Sequence, residues 1–433
     1  MKIMASQKFK EEALNRIMNR GKIDYSSVSS SVREIIEAVR KEGDKAVLRY
    51  TEKFDNTSLA QQRLRVAQNE VKKAYKKLKR NQITALKKAA INIARFHEEQ
   101  IEDVWSLNVT KGVTLGQVTR PLSSVGIYAP GGRAAYPSSV LMCTIPAKVA
   151  GVKRIIVCSP PRANGDVNPA LLVAADIAGA TDFYRIGGAQ AIAAMAYGTE
   201  TVPKVDKIVG PGNIFVIAAK MQVSRDVAID LPAGPSEILI IADDTANPSV
   251  IASNLLAQAE HDPNVWAILL TTSERLAFAV EKKVKTQLKL LSRKKIAKSS
   301  IQKRGFIVIV NDLYDAVNYA NMIAPEHLQI LTNTPSKVLD RVQNAGAVFL
   351  GEYSLVAFGD YSAGMNHVLP TGGYARIYSG LSARDFVKTI SFLKCSEEGY
   401  LNLKKTTITL AKLEGFNGHA KSVSMRENAE SED

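Results

Sequence analysis

Apolar and polar positions recur along this chain with two periods, and the balance between them shifts near residue 125. Before it the helical period of 3.6 dominates. Residues 1–19 read as an amphipathic helical arm. Residues 29–54 read as a helix introduced by the serines at 26–31, and 69–101 as one long Lys-rich helix. His97, flanked by Glu98, reads as a polar residue of that helix. A short strand is predicted at 64–67. From 125 onward, short apolar runs alternate with Gly/Pro turns and Ala-rich helices. Strands are predicted at 125–128, 154–158, 182–186 and 207–209, with helices at 138–150, 168–178, 189–197 and 214–221. Strands at 237–241, 265–271 and 306–310, with helices at 249–257, 274–291 and 312–322, continue the alternation. Such repetition means βαβ units, parallel sheets and helices on both faces. In sheets of this kind ligands gather at the carboxyl ends of the strands. After Thr371 the pattern fades into a helical-looking turn at 385–389 and a helix at 402–414.

Composition narrows the class. With 46% hydrophobic and 23% charged residues, the 433-residue chain has the make-up of a soluble enzyme of two or three domains. No apolar run is long enough to cross a membrane, and the charged first residues do not form a secretory signal, so a cytoplasmic protein is expected. Three widely spaced cysteines fit a reducing compartment. The net charge of +15 raises the question of an anionic partner. Its lysines are interleaved with aliphatic residues and lack the aromatic studding of a nucleic-acid platform, so a solvated basic surface is expected and no nucleic-acid or membrane partner.

The stretch Ala324-Pro325-Glu326-His327-Leu328 concentrates chemistry. Pro325 fixes its own φ, pushes Ala324 out of the helical region and ends the helix before it. Glu326 and His327 then stand where a helix stops and a strand begins, as an acid–base pair aimed by one bend. An exposed Glu and a capping His would read the same way on these five residues alone. Glycine turns at Gly131-Gly132, Gly187-Gly188 (followed by Gln190) and Gly210-Pro211-Gly212-Asn213 each lead into a helix whose N–H groups could face phosphate. The G-x-G-x-x-G fingerprint is absent. Only five histidines occur. Gln258 and His261 share a helix face at i, i+3 spacing. With Asp360, His367 and His419 they supply nitrogen and oxygen donors suited to Zn²⁺ or Mn²⁺, although each His also serves as an ordinary hydrogen-bonding group.

Several blocks resemble histidinol dehydrogenases: Val125-Gly126-Ile127-Tyr128-Ala129-Pro130-Gly131-Gly132, Tyr136-Pro137-Ser138-Ser139-Val140-Leu141-Met142, Gly210-Pro211-Gly212-Asn213, Ala233-Gly234-Pro235-Ser236-Glu237, Ala259-Glu260-His261-Asp262-Pro263, the Ala324–Leu328 stretch and Asn366-His367-Val368-Leu369-Pro370-Thr371. The resemblance runs to about Arg426. It implies NAD-dependent oxidation of L-histidinol to L-histidine through the aldehyde. Glu326 and His327 would be catalytic. Gln258, His261, Asp360 and His419 would hold one zinc per subunit. Tyr128, Gln190 and Asn213 would contact NAD. Ser236, His367 and Glu414 would hold substrate together with the zinc ligands and His327. A homodimer is implied, with each C-terminal tail entering the partner's site, and two incomplete Rossmann-like domains explain the missing fingerprint. The expected division is a helical arm (1–25), a first α/β domain with the metal and catalytic residues (26–127 and 236–380), a second α/β domain with the NAD contacts (128–235) and a helical tail (381–433). Met365 and Gly418 depart from the family's usual residues without touching a proposed ligand. A sister dehydrogenase acting on another small polar alcohol is the alternative. A zinc hydrolase using Glu326 as base would leave the Tyr128, Gln190 and Asn213 turns without a role.

Overall fold

The computed structural model describes residues 1–21, 26–101, 104–131, 135–230 and 234–427. Gly132 of the predicted Gly131-Gly132 turn and Ala233 of the Ala233–Glu237 block fall outside them. Among the described residues the strands run, in chain order, β1 (Lys2–Ala5), β2 (Trp105–Thr110), β3 (Val113–Pro121), β4 (Ser124–Tyr128), β5 (Arg154–Ser159), β6 (Asp182–Arg185), β7 (Lys207–Val209), β8 (Ala228–Ile229), β9 (Glu237–Ala242), β10 (Trp266–Thr271), β11 (Gly305–Ile309), β12 (His327–Leu331), β13 (Ala347–Leu350) and β14 (Val387–Cys395). They make two parallel sheets and one antiparallel sheet.

The five-stranded parallel sheet has the order β6-β5-β4-β7-β8. That is the doubly wound dinucleotide-fold order 3-2-1-4-5-6 without its last strand, with the topological switch between β4 and β7. The six-stranded parallel sheet has the order β1-β11-β10-β9-β12-β13. Both sheets are apolar on both faces. Ile238 and Ile240 pack to one side of β9, Leu239 and Ile241 to the other. Near-continuous apolar strands are what a sheet covered by helices on both sides requires.

The chain before residue 100 goes to a different place than the sequence division assigns it. Helices Ser26–Glu42 and Asp44–Asp55 join the core on one face of the five-stranded sheet through Val28, Val32, Ala46, Val47 and Tyr50, packing against helix Gly188–Tyr197, and the first of them also against helix Ile214–Val223. Ala74, Ala89, Ala90 and Ile93, from helices Gln68–Lys77 and Arg80–Glu98, join the core on the other side, where these helices pack against helices Pro137–Val149 and Pro169–Ala178. So residues 26–98 belong with 124–230, not with 236–380. Their amphipathic stripes, such as Val28, Val32, Ile35, Ile36 and Val39, fit any apolar sheet face, and sequence alone does not say which. Four further corrections concern local structure. The long helix breaks at Leu78, which is extended (ψ 146°), and restarts at Arg80 with the Gln82 amide accepting from the Lys79 N–H. The 64–67 segment makes one bridge, Arg65 to Tyr184, instead of a strand. The N-terminal arm opens with β1, paired in parallel to β11, before it turns helical at Ser6. The helix predicted at 385–389 is a 3₁₀ turn (Ala383–Phe386) followed by β14.

Residues 101–121 and 387–433 form a second compact unit. It contains the antiparallel sheet β14-β3-β2 and, after it, helices Glu397–Leu413 and Asn417–Ser424. No helix of the described residues is long and apolar enough to cross a membrane.

Candidate functional site

The six-stranded sheet carries its chemistry at the amino ends of its strands, opposite to the expectation. Helix Leu313–Ile323 is capped by the Asp312 side chain, which accepts from the Asp315 N–H. It stops at Ala324, which leaves the right-handed region for the left-handed one (φ 50°, ψ 66°). A non-glycine residue there costs roughly 1–2 kcal/mol and has to be held by its surroundings. Pro325 follows, and β12 begins at His327. Glu326 and His327 are both buried.

One residue orients both side chains. The Glu237 N–H, at the head of β9, donates to the Glu326 carboxylate at 2.8 Å. The Glu237 carbonyl lies 2.9 Å from His327 Nδ1, so Nδ1 carries a proton that it donates there. Nδ1 is also 3.3 Å from Glu326 Oε2. Nε2 is buried and has no hydrogen-bond partner among the described residues. It faces Asp360 Oδ1 at 3.6 Å, an ion-pair contact too long for a hydrogen bond. Burial alone would lower the His327 pKa. The Glu326 and Asp360 carboxylates outweigh burial and hold it well above its ordinary value.

Asp360 lies on helix Val356–Tyr361. Burial would raise its pKa, but His327, His367 and His261 together hold it below the usual carboxylate value. His367 donates from Nδ1 to the Asp360 carbonyl at 2.9 Å, and its Nε2 lies 3.1 Å from the Ser139 hydroxyl. Burial pushes the His367 pKa down. Ser139 sits on helix Pro137–Val149, which follows β4, so this bond ties the His367 loop to the five-stranded sheet's layer. Asn366 strengthens the tie by donating to the Met142 carbonyl at 2.7 Å.

His97 belongs to the same support, contrary to its reading as a polar helix residue. It is fully buried, with Nδ1 at 2.6 Å from Gln100 Oε1 and Nε2 at 3.4 Å from Asn366 Nδ2. Burial lowers its pKa, with Gln100 opposing. The folded state therefore disfavours protonated His97. As pH falls through about 6.5 the unfolded chain takes up a proton that the folded chain resists, and stability is lost. A His97→Gln variant should start less stable at neutral pH. It should then lose melting temperature less steeply than wild type from about pH 6.5 to 5. Parallel slopes in calorimetry would remove His97 from the acid response.

Gln258 is buried on the last turn of helix Pro248–Ala259, and His261 follows it, exposed, before β10. Ser236 is half-buried directly ahead of Glu237. Glu414 and His419 lie in the second unit and are exposed. Glu414 ends helix Glu397–Leu413, and the His419 ring lies 5.5 Å from that of Phe416. Among the described residues no three His, Cys, Asp or Glu side chains converge as a metal site.

At the five-stranded sheet the proposed cofactor residues do sit at carboxyl ends. Tyr128 ends β4, and its hydroxyl accepts from the Gly188 N–H at 3.1 Å. Gln190 is buried on helix Gly188–Tyr197, and neither amide atom has a partner among the described residues. Asn213 caps helix Ile214–Val223, its oxygen accepting from the Phe215 and Val216 N–H groups. That leaves its amide NH₂ for other work. Gly210 has φ 120°, and a Cβ there would collide with the Tyr128 carbonyl. The loop is fastened from below by a buried Lys220–Asp230 pair. Lys220 donates to the Gly210 carbonyl at 3.0 Å, and Asp230 accepts from the Gly210 N–H at 2.6 Å. Sequence reading missed the Ser139–His367 contact and a buried ion pair between Arg20 and Glu237 because each joins segments more than 200 residues apart, and it missed the nearby Lys220–Asp230 pair because nothing in the local pattern marks either residue as buried.

The histidinol dehydrogenase family model matches residues 18–427. The chain belongs to the histidinol dehydrogenase family. It is an oxidoreductase of that family, and its likeness to individual members extends from end to end. It is 50% identical over 418 residues to histidinol dehydrogenase of Methanosarcina mazei, covering 96% of this chain and 95% of that one. With the enzyme of Methanothermobacter thermautotrophicus it shares 48% over 424 residues, 98% and 99% of the two chains. The crystal structure of histidinol dehydrogenase from Elizabethkingia anophelis superposes with a TM-score of 0.94 at 39% identity, over 99% of this chain and 98% of that one.

Proposed function

We propose that this chain carries out the NAD-dependent oxidation of L-histidinol to L-histidine through L-histidinal, the last two steps of histidine biosynthesis, in the cytoplasm. The observation that carries the reading is the Glu326–His327 pair, held by the backbone of one residue, Glu237, beside Asp360, in a chain whose other parallel sheet has Tyr128, Gln190 and Asn213 at or just after the carboxyl ends of its strands. His327 takes the hydroxyl proton at Nε2 as the carbinol carbon gives up its hydride. In the second oxidation Glu326 removes a proton from the water that adds to the aldehyde, and the hydrate gives up a second hydride. NAD⁺, when bound, supplies the hydride acceptor in both steps. The unpartnered Gln190 amide and the Asn213 NH₂, left over from its capping role, suit it.

The donor set also suits zinc. Gln258 lies on the last turn of one helix and His261 just beyond its end, close enough to Asp360 to depress its carboxyl. His419 would complete the set from the partner subunit of a homodimer. When bound, zinc would supply a Lewis acid that anchors the substrate's imidazole and amine and draws Asp360 charge away from His327. Ser236, His367 and Glu414 would orient the substrate.

Steady-state NADH formation from L-histidinol, with and without a chelator, tests the reading. Turnover should vanish on chelation while far-UV circular dichroism stays native, because the ligands hang from separate segments of a large core. Full turnover without metal, or collapse of the fold, would count against it.

A further inference from the structure

We propose that Arg20, from the N-terminal arm, is a positioning residue for both proton-transfer groups, acting through Glu237. The inference rests on the assignment of Glu326 and His327 above. Arg20 follows the short helix Asn15–Met18, and its side chain, like that of Glu237, is 3% exposed. Its guanidinium grips the Glu237 carboxylate in a fork, Nε to Oε1 at 2.5 Å and Nη2 to Oε2 at 2.6 Å. Nη1 donates to the Ile17 carbonyl at 2.8 Å, which ties the fork to its own arm. The arm is itself anchored, with Phe9, Ala13, Leu14 and Ile17 buried in the six-stranded sheet's core.

Two routes lead from this fork to the chemistry. The first runs through the Glu237 backbone, whose N–H holds Glu326 and whose carbonyl holds His327 Nδ1. The Gly372 N–H, donating to Glu237 Oε1 at 3.0 Å, fixes the same side chain from another loop. The second runs through Ala324, whose carbonyl accepts from Arg20 Nη2 at 3.3 Å. Ala324 is the left-handed residue that delivers Pro325 and Glu326. Arg20 thus holds both the strained turn before Glu326 and the residue whose backbone aims Glu326 and His327. A bidentate guanidinium fixes orientation as well as charge, which a lysine ammonium does not. Glu237 without Arg20 is a buried carboxylate with the Gly372 N–H as its remaining partner, and it moves or takes up a proton. Either response shifts the Glu237 backbone, whose N–H and carbonyl carry the two catalytic contacts. Misplacement by about 1 Å is enough to cost about 10²-fold in rate.

The test uses the full-length, metal-loaded enzyme in variants Arg20→Met, Arg20→Lys and Arg20→Ala, beside Glu326→Gln and His327→Ala. Arg20→Met should lose about 10²-fold in kcat with both alcohol and aldehyde, with KM for histidinol and NAD⁺ changed less than about threefold. Arg20→Lys, which keeps charge and loses the fork, should lose about tenfold. Millimolar guanidinium should restore part of the kcat of Arg20→Ala and none of that of His327→Ala, a rescue that a general stability role does not predict. Wild-type kcat in folded Arg20→Met overturns the inference, and so does a loss confined to KM. If Arg20→Met fails to fold, wild-type kcat in folded Arg20→Lys overturns it. Should Glu326→Gln and His327→Ala keep full activity, the parent assignment fails. If they lose it while the Arg20 variants do not, only the role of Arg20 fails.

Discussion

Glu326→Gln should separate the two oxidations. The amide preserves shape and still accepts from the Glu237 N–H, whose bond to the carboxylate is 2.8 Å. It cannot take a proton. The first oxidation needs no activated water, so reduction of NAD⁺ by histidinol in a single turnover should survive within about tenfold. Oxidation of histidinal should fall by about 10²–10⁴-fold. The aldehyde then accumulates and is trapped by a carbonyl reagent. His327→Ala should damage both steps to a similar degree, since each oxidation releases a hydroxyl proton and the proposed mechanism offers the unpartnered Nε2 to take it. Equal losses with alcohol and aldehyde in Glu326→Gln would defeat the division of labour.

A second large effect concerns the tail. If His419 completes the site of a partner, His261→Ala spoils the body of a subunit and His419→Ala spoils only the tail it lends. Each homodimer should be inactive. Refolded together, a mixed dimer pairs an intact body with an intact tail at one of its two sites. Random pairing makes about half the dimers mixed and returns about a quarter of wild-type activity, as two-fold symmetry requires. A tail that serves its own chain leaves a defect in every site. No recovery from a mixture shown to contain mixed dimers would therefore rule out exchange. Exposure of Glu414 and His419 on their own unit is compatible with such lending.

Much of the architecture could be read from local pattern, and the losses have physical causes. Strands β4, β5, β9 and β10 are apolar runs bounded by Gly, Pro or polar turns, because both of their faces are covered. Strand β2 is exposed along nearly its whole length and carries no such signal, and β14 is alike. The bend at Ala324–His327 was legible because Pro325 dictates it, although its left-handed Ala324 was not. The candidate site was legible residue by residue in its titratable groups, but not in its supports. Nothing near Arg20 in the sequence points to Glu237, 217 residues away. His97 looked solvated because its neighbours are charged, while its own side chain faces Asn366. The packing of 26–98 escaped for a similar reason. An amphipathic helix declares that it will be buried, not against what.

Strand β1 has a consequence for the order in which the protein assembles as it leaves the ribosome. Lys2 pairs with Phe306, and Ala5 with Ile309, so β1 is completed by a partner strand made roughly 300 residues later. At about 5–20 residues per second, the wait is roughly 15–60 s. The five-stranded sheet and its helices use residues from 26 to 230 and have emerged well before then. Throughout that interval Met4, Phe9, Leu14 and Ile17 have no finished sheet to cover. The nascent arm is thus a predicted client for a chaperone that binds short apolar segments, and it docks only when β11 has been synthesised. Arg20 reaches Glu237 in the same late event, which makes the alignment of the acid–base pair one of the last things this chain acquires.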